Sequence, residues 1–182
     1  MIQKRLERGD TALLVVDVQE RLCRAMPQAR LERLINRTVA LLEAARVLGL
    51  PVAFTEQYPN GLGHTIEPIR SKLGQAARFE KVRFSSVSAD LLAALGQRRT
   101  VLIAGMEAHV CVYQTARDLI ERGFTPYLCR DAIISRTDED REAGLALARD
   151  AGAVITTAEC ALFDLLGEAG TPEFRAISAA VK

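Results

Sequence analysis

Long apolar runs are missing from this sequence. Its N-terminus, MIQKRLERGDTALLVVDVQ, is charged first and then apolar for only about seven residues. A bilayer span needs roughly 20, and no small-residue cleavage site comes after it. No membrane partner is therefore expected, and a cytoplasmic location is. Cysteine is scattered: Cys23, Cys111, Cys129 and Cys160 form no CxxC and no Cys/His pair at zinc-finger spacing, so they read as free thiols. An excess of one charge is lacking too. With 24 Lys+Arg against 23 Asp+Glu and no basic tract, nucleic acid is a poor partner. No Ser/Gly/Pro-rich linker divides the 182 residues, 49% of which are hydrophobic. One domain covering 1–182, with a well-buried core, is expected.

Short apolar runs alternating with helical patterns fill that length. TALLVVD (11–17), PVAFT (51–55), TVLIAG (100–105), TPYLC (125–129) and AVITT (153–157) read as buried strands. A weaker strand is expected near Glu80 to Val82. Between the first two runs, Leu31, Leu34, Ile35, Thr38, Leu41, Leu42, Ala45 and Leu48 recur at helical spacing until Gly49 and Pro51 stop them. SADLLAAL (88–95) reads as a helix capped by Ser88, and DEDREAGLALARDAG (138–152) as one with an acidic start and a glycine stop. TPEFRAISAAVK (171–182) reads as a short terminal helix whose apolar face, Phe174, Ile177 and Val181, packs on the domain or on a neighbour. Strand, helix, strand, repeated, predicts a three-layer αβα, Rossmann-like fold with a mostly parallel sheet of about six strands.

In such a sheet ligands bind beyond the carboxyl ends of the strands. The segments at those ends are VVDVQ, TEQYPNGLG, EKVRFSS and GMEAHVCV. An aspartate, a lysine and a cysteine thus fall at one edge. Three familiar constellations are absent: DVQERL has no glycine for a dinucleotide loop, no GxSxG exists for a serine hydrolase, and Gln19 stands where a haloacid dehalogenase-type phosphatase needs its second aspartate.

Cys111 is either a small core hydrophobe or a nucleophile at the start of a helix, where unpaired N–H groups would favour its thiolate. Of the two histidines, His64 lies in a Gly-rich loop, and His109 is two residues from Cys111, pointing away on a regular helix. Asp17, closing an apolar strand, is a better proton acceptor, although a turn-forming role fits it as well. Lys81 by itself reads as a surface charge.

LLVVDVQ, TEQYPNGLG, the lysine before FSS and GMEAHVCV, in that order over about residues 11–165, resemble the isochorismatase-like cysteine hydrolases. That superfamily includes nicotinamidase, N-carbamoylsarcosine amidohydrolase and isochorismatase, and the EAHVCV version is most similar to an isochorismatase domain-containing subgroup. The resemblance implies a triad of Asp17, Lys81 and Cys111 and hydrolysis of a small-molecule amide or related acyl bond through a covalent Cys thioester. It also implies a cis peptide at Glu107 to Ala108 that aims the N–H groups of Ala108 and Cys111 at an oxyanion. Many members have threonine where Ala108 stands. Nicotinamidases carry an aspartate and two histidines as a metal site, which is not expected here; no cofactor is expected either. True isochorismatases often lack the cysteine, so Cys111 points to a thiol-dependent reaction.

Gln19, Phe54, Tyr58, Phe84 and Glu107 are candidates for a pocket wall, and the loop from Tyr58 to Gly63 for a lid. Family members commonly self-associate, so a homo-oligomer, dimer or larger, is expected. The competing expectation is a catalytically idle or regulatory small-molecule-binding protein that keeps the fold.

Overall fold

The computed structural model describes residues 5–181. Six strands, β1 (Thr11–Val16), β2 (Val52–Gln57), β3 (Ala77–Lys81), β4 (Thr100–Met106), β5 (Thr125–Ile134) and β6 (Val154–Thr156), pair in the order β3-β2-β1-β4-β5-β6. Every pairing is parallel. The helices are α1 (Glu20–Arg24), α2 (Gln28–Leu48), α3 (Pro59–Leu62), α4 (Glu67–Arg70), α5 (Ala89–Leu95), α6 (Tyr113–Ile120), α7 (Asp138–Asp150), α8 (Ala158–Leu166) and α9 (Pro172–Ala180). A π-helical turn, Ala108–Val112, precedes α6.

Both faces of the sheet are covered, which is why its strands carry apolar residues continuously instead of alternating with polar ones. Successive side chains still point to opposite faces. In β1, Leu13 and Val15 join the core beneath α2, α8 and α9, while Ala12, Leu14 and Val16 join the core beneath α5, α6 and α7. This is the predicted three-layer αβα architecture.

Caps and stops agree closely with the sequence. Ser88 Oγ accepts from the Leu91 amide to start α5, and Gly49, at φ 67°, closes α2. Two strands differ from expectation. β3 begins at Ala77, and β5 continues five residues past Cys129. Arg130 and Asp131 break the apolar run there, yet the strand resumes after a register shift against β4. The terminal helix packs inward: Ile177 is 1% exposed within the α2 core and Phe174 stacks at 6.0 Å on Phe163. Lys182, the end of that predicted stretch, lies outside the described residues.

The strand order reverses direction between β1 and β4, so the crevice of this sheet opens beyond the carboxyl ends of those two strands. Gly105 makes their close approach possible. It sits at φ 130°, and any Cβ there would overlap the Val16 carbonyl.

Candidate active site

Asp17 comes immediately after β1 and has φ 50°, a left-handed conformation that aspartate and asparagine adopt more readily than other residues with a side chain. Its amide donates to Thr55 O at 3.2 Å and its carbonyl accepts from the Gln19 amide at 2.9 Å. That tight turn lifts the carboxylate out of the strand line, and the group is fully buried. Its two oxygens have different partners. Thr55 Oγ1 donates to Oδ1 at 2.7 Å, and Lys81 Nζ donates to Oδ2 at 2.6 Å.

Lys81 ends β3, one strand removed from β1, and its side chain crosses the end of β2 to arrive there. On the way Nζ donates to Gln57 Oε1 at 2.9 Å and to Phe84 O at 2.9 Å, with Arg83 O at 3.4 Å. Three protons meeting a carboxylate and a ring of carbonyl oxygens hold the side chain in one place, and only 9% of it is exposed. It is no surface charge.

Cys111 reaches the same point from β4. The chain leaves that strand through a cis peptide between Met106 and Glu107 and enters a π turn in which the Val112 amide donates to Glu107 O and the Tyr113 amide to Ala108 O. These bonds span five residues, so the turn is wider than a regular first helical turn. α7 holds it in place: a Cβ on Gly144 would lie 2.5 Å from the backbone of Ala108 and His109. Cys111 is 6% exposed, and the charges of both Asp17 and Lys81 act on its thiol.

Several expectations are corrected. The thiol's pKa is not lowered by a helix start: burial, and after it the Asp17 carboxylate, push it up to about 12, against a smaller opposing effect of Lys81. The resting group is a neutral thiol facing a carboxylate. The cis peptide lies one residue earlier than Glu107 to Ala108. The Ala108 amide is already committed, donating to Ser135 Oγ at 3.0 Å, so it is not aimed at an oxyanion beside Cys111. Glu107 accepts from Arg136 Nε at 3.0 Å and anchors the loop after β5. His109 faces Ser135 Oγ at 3.1 Å and Asp140 at 3.9 Å.

The four weaker pocket candidates separate into two kinds. Gln19 is fully buried, and its amide accepts from Gln57 N at 2.7 Å while donating to Gln57 O at 3.0 Å and Gly63 O at 2.7 Å. It acts as an extra rung at the end of β2, with no surface left for a ligand. Phe54 is 8% exposed in the core beneath α2, on the face of β2 opposite Thr55, because neighbours in a strand alternate. Tyr58 and Phe84, by contrast, are 55% and 53% exposed and adjoin Lys81 through backbone bonds. The loop after Tyr58 is fastened by buried Glu56, which accepts from the Thr65 amide and hydroxyl at 2.7 and 2.8 Å and pairs with His64 and Arg78.

Sequence reading missed Thr55, Gln57 and Ser135 as functional neighbours. Thr55 and Gln57 belong to the quoted TEQ stretch, but only alternation along β2 distinguishes the residue facing Asp17 from the one facing the core. Ser135 had no signal at all. Among the described residues no group of three His, Cys, Asp or Glu is placed to hold a metal ion, and no helix is long and apolar enough to cross a membrane.

The model of the isochorismatase domain matches residues 11–160. A Phytophthora sojae protein named secreted isochorismatase effector Isc1 is 38% identical, the match covering 98% of this chain and 87% of that one. The structure of a Caenorhabditis elegans protein described as MAR1 ribonuclease superposes with a TM-score of 0.93 at 34% identity, covering 98% of this chain and 92% of that one. The Escherichia coli YcaC gene product, described as an octameric hydrolase of unknown specificity, gives a TM-score of 0.85 at 22% identity, covering 100% and 89%, and shows the shared fold alone.

Proposed function

The chain belongs to the isochorismatase family of hydrolases, and from that premise we propose that it is a cofactor-independent cysteine hydrolase cleaving a small-molecule amide or related acyl bond, with Asp17, Lys81 and Cys111 as its catalytic residues. One observation carries the reading. Lys81 Nζ stands 2.6 Å from the Asp17 carboxylate, and both charges act on the Cys111 thiol, at the switch point of the sheet. Three such groups brought together from the ends of three separate strands serve no packing need, and a buried lysine is retained at a cost that only its partners offset.

Because the thiol is neutral at rest, deprotonation accompanies attack. The sulfur adds to the substrate carbonyl carbon while its proton passes to Asp17, whose charge Lys81 balances until then; the negative charge moves to the former carbonyl oxygen. Collapse of the tetrahedral adduct breaks the C–N bond, and Asp17 returns the proton to the departing amine. A water then attacks the thioester, with Asp17 again accepting a proton, and the acid leaves as the thiol re-forms. Tyr58 and Phe84 lie on the rim where a small substrate would enter, and Glu107 and Ala108 hold the turn that presents the sulfur.

The same exposed rim, joined by Val82 at 77% exposure, is where we place self-association with a second copy. A cytoplasmic location is consistent with Cys23, Cys111 and Cys129 being buried free thiols.

The test is a screen of small amides, carbamoyl compounds and esters against wild type and Cys111→Ala, with intact-mass detection of the acyl-enzyme. Isochorismate and RNA belong in the panel because of what the P. sojae and C. elegans proteins are named. Hydrolysis with a trapped adduct on Cys111, abolished in Cys111→Ala, is expected. Hydrolysis undiminished in Cys111→Ala would overturn the thiol mechanism, and ligand binding with no turnover across the panel would favour the idle, regulatory alternative.

A further inference from the structure

Away from Cys111, at the carboxyl end of β5 and the start of α7, an open cleft of about 410 Å³ is lined by Arg30, Arg33, Arg130, Arg141, Asp131 and Asp138 among others. Its charge is unbalanced. Arg30 pairs with Asp138, Arg37 with Asp131 at 3.6 Å, and Arg130 and Arg141 share Glu142. Counting Arg33, five guanidinium groups meet three carboxylates, an excess of two positive charges.

Not all of these arginines are structural. Arg141 is, since it donates to the carbonyls of Ile133 and Arg130, and its pKa is lowered by burial and by the neighbouring Arg130 and Arg30 charges. Arg30 is only half used: its Nη1 is buried without any hydrogen-bond partner, which is costly for a charged donor. Arg33, three residues on along α2 and so on the same side, is exposed and has no partner among the described residues. Arg130 holds Glu142 only loosely, at 3.3 Å. The fold therefore gathers like charges around a hollow, with Arg33 unpaired and Arg130 only loosely held.

We propose that this cleft is a binding site for a small oxyanion of charge −2, a phosphate group, held by Arg33 and Arg130, with Arg30 adding charge from behind. A phosphate presents oxygens in several directions to guanidinium forks and matches the two unbalanced charges. The site is separate from the candidate active site, because Cys111 and Asp17 are not among its lining residues.

The full-length protein is titrated with sodium phosphate and, in parallel, with a small phosphomonoester, by calorimetry and thermal shift, against sodium chloride at matched ionic strength. Saturable one-site binding is expected, with Arg33→Ala and Arg130→Ala each about tenfold weaker, the effect of one charge-assisted hydrogen bond. Arg33 is exposed and unpaired, so its variant folds as wild type does. Cys111→Ala binds unchanged. Tighter binding of the phosphomonoester identifies an organic phosphate as the ligand, and equal binding the free ion. A thermal shift no larger than that of chloride, unaltered binding by both arginine variants, or loss of binding in Cys111→Ala would each overturn the proposal.

Discussion

Thr55→Val tests how the candidate base is held. The valine keeps the shape of the side chain and removes one hydroxyl, which donates at 2.7 Å to Asp17 Oδ1 where both residues are buried. A hydrogen bond to a charged acceptor contributes about 1.5 to 3 kcal/mol, and the orphaned oxygen has no route to water. With an m-value of about 2 kcal/mol/M for urea, a loss of roughly 2 kcal/mol moves the unfolding midpoint down by about 1 M. Acylation of Cys111 slows by about tenfold as well, since an Oδ1 free to turn is less often aligned with the thiol; that factor corresponds to about 1.4 kcal/mol. Thr55→Ser retains the hydroxyl and separates the two effects: it loses about 1 kcal/mol for the missing methyl and keeps the wild-type acylation rate. The assay pairs urea unfolding with rapid-quench mass measurement of the acyl-enzyme. If Thr55→Val unfolds and acylates like Thr55→Ser, Asp17 does not depend on this donor and the reasoning fails.

The same geometry sets three further outcomes. Cys23 and Cys111 have thiols raised by burial from 9.0 to about 11 and about 12; a raised folded pKa means stability is complete below pH 9 and is lost as pH climbs toward those values. Urea midpoints should therefore fall above about pH 9, each thiol steepening the loss by up to about 1.4 kcal/mol per pH unit, and Cys111→Ala should remove its share. For Glu56, burial acts to raise the pKa, but the Thr65 amide, His64, the Thr65 hydroxyl and Arg78 outweigh it and the result is lowered from 4.5. Its contribution is present above that value and disappears as pH falls through the lower folded value, so Glu56→Gln, destabilised by about 2 kcal/mol at pH 7, should differ less from wild type in acid unfolding curves. Gly105→Ala, forced against the Val16 carbonyl at φ 130°, should lose more than about 3 kcal/mol, whereas Gly9→Ala, with open space around it, should melt like wild type.

Much of the fold was legible because its signals are local. Apolar runs too short for buried helices, stripes at three and four residues, and glycines or prolines at their ends predict alternating strands and helices, and the parallel sheet is a consequence of that alternation. β3 was faint because its residues alternate between half-buried and exposed at the edge of the sheet, which gives it no continuous apolar run. The continuation of β5 was hidden because Arg130 and Asp131 look like a stop until a register shift against β4 is seen.

The sequence by itself determined the order of the elements and placed Asp17, Lys81 and Cys111 each at or just beyond the end of a strand, since backbone pattern and loop position are properties of neighbouring residues. Only the tertiary structure decided what those residues are to one another. Lys81 reads as a surface charge until β3 pairs with β2 and its side chain crosses to Asp17 at the end of β1, and Cys111 as a helix-start thiolate until burial and the Asp17 carboxylate raise its pKa. Gln19 and Phe54 read as pocket walls until packing closes over them. Protonation, burial and hydrogen-bond partnership depend on groups that are distant in sequence and near in space, and it is the pairing of strands that makes them neighbours.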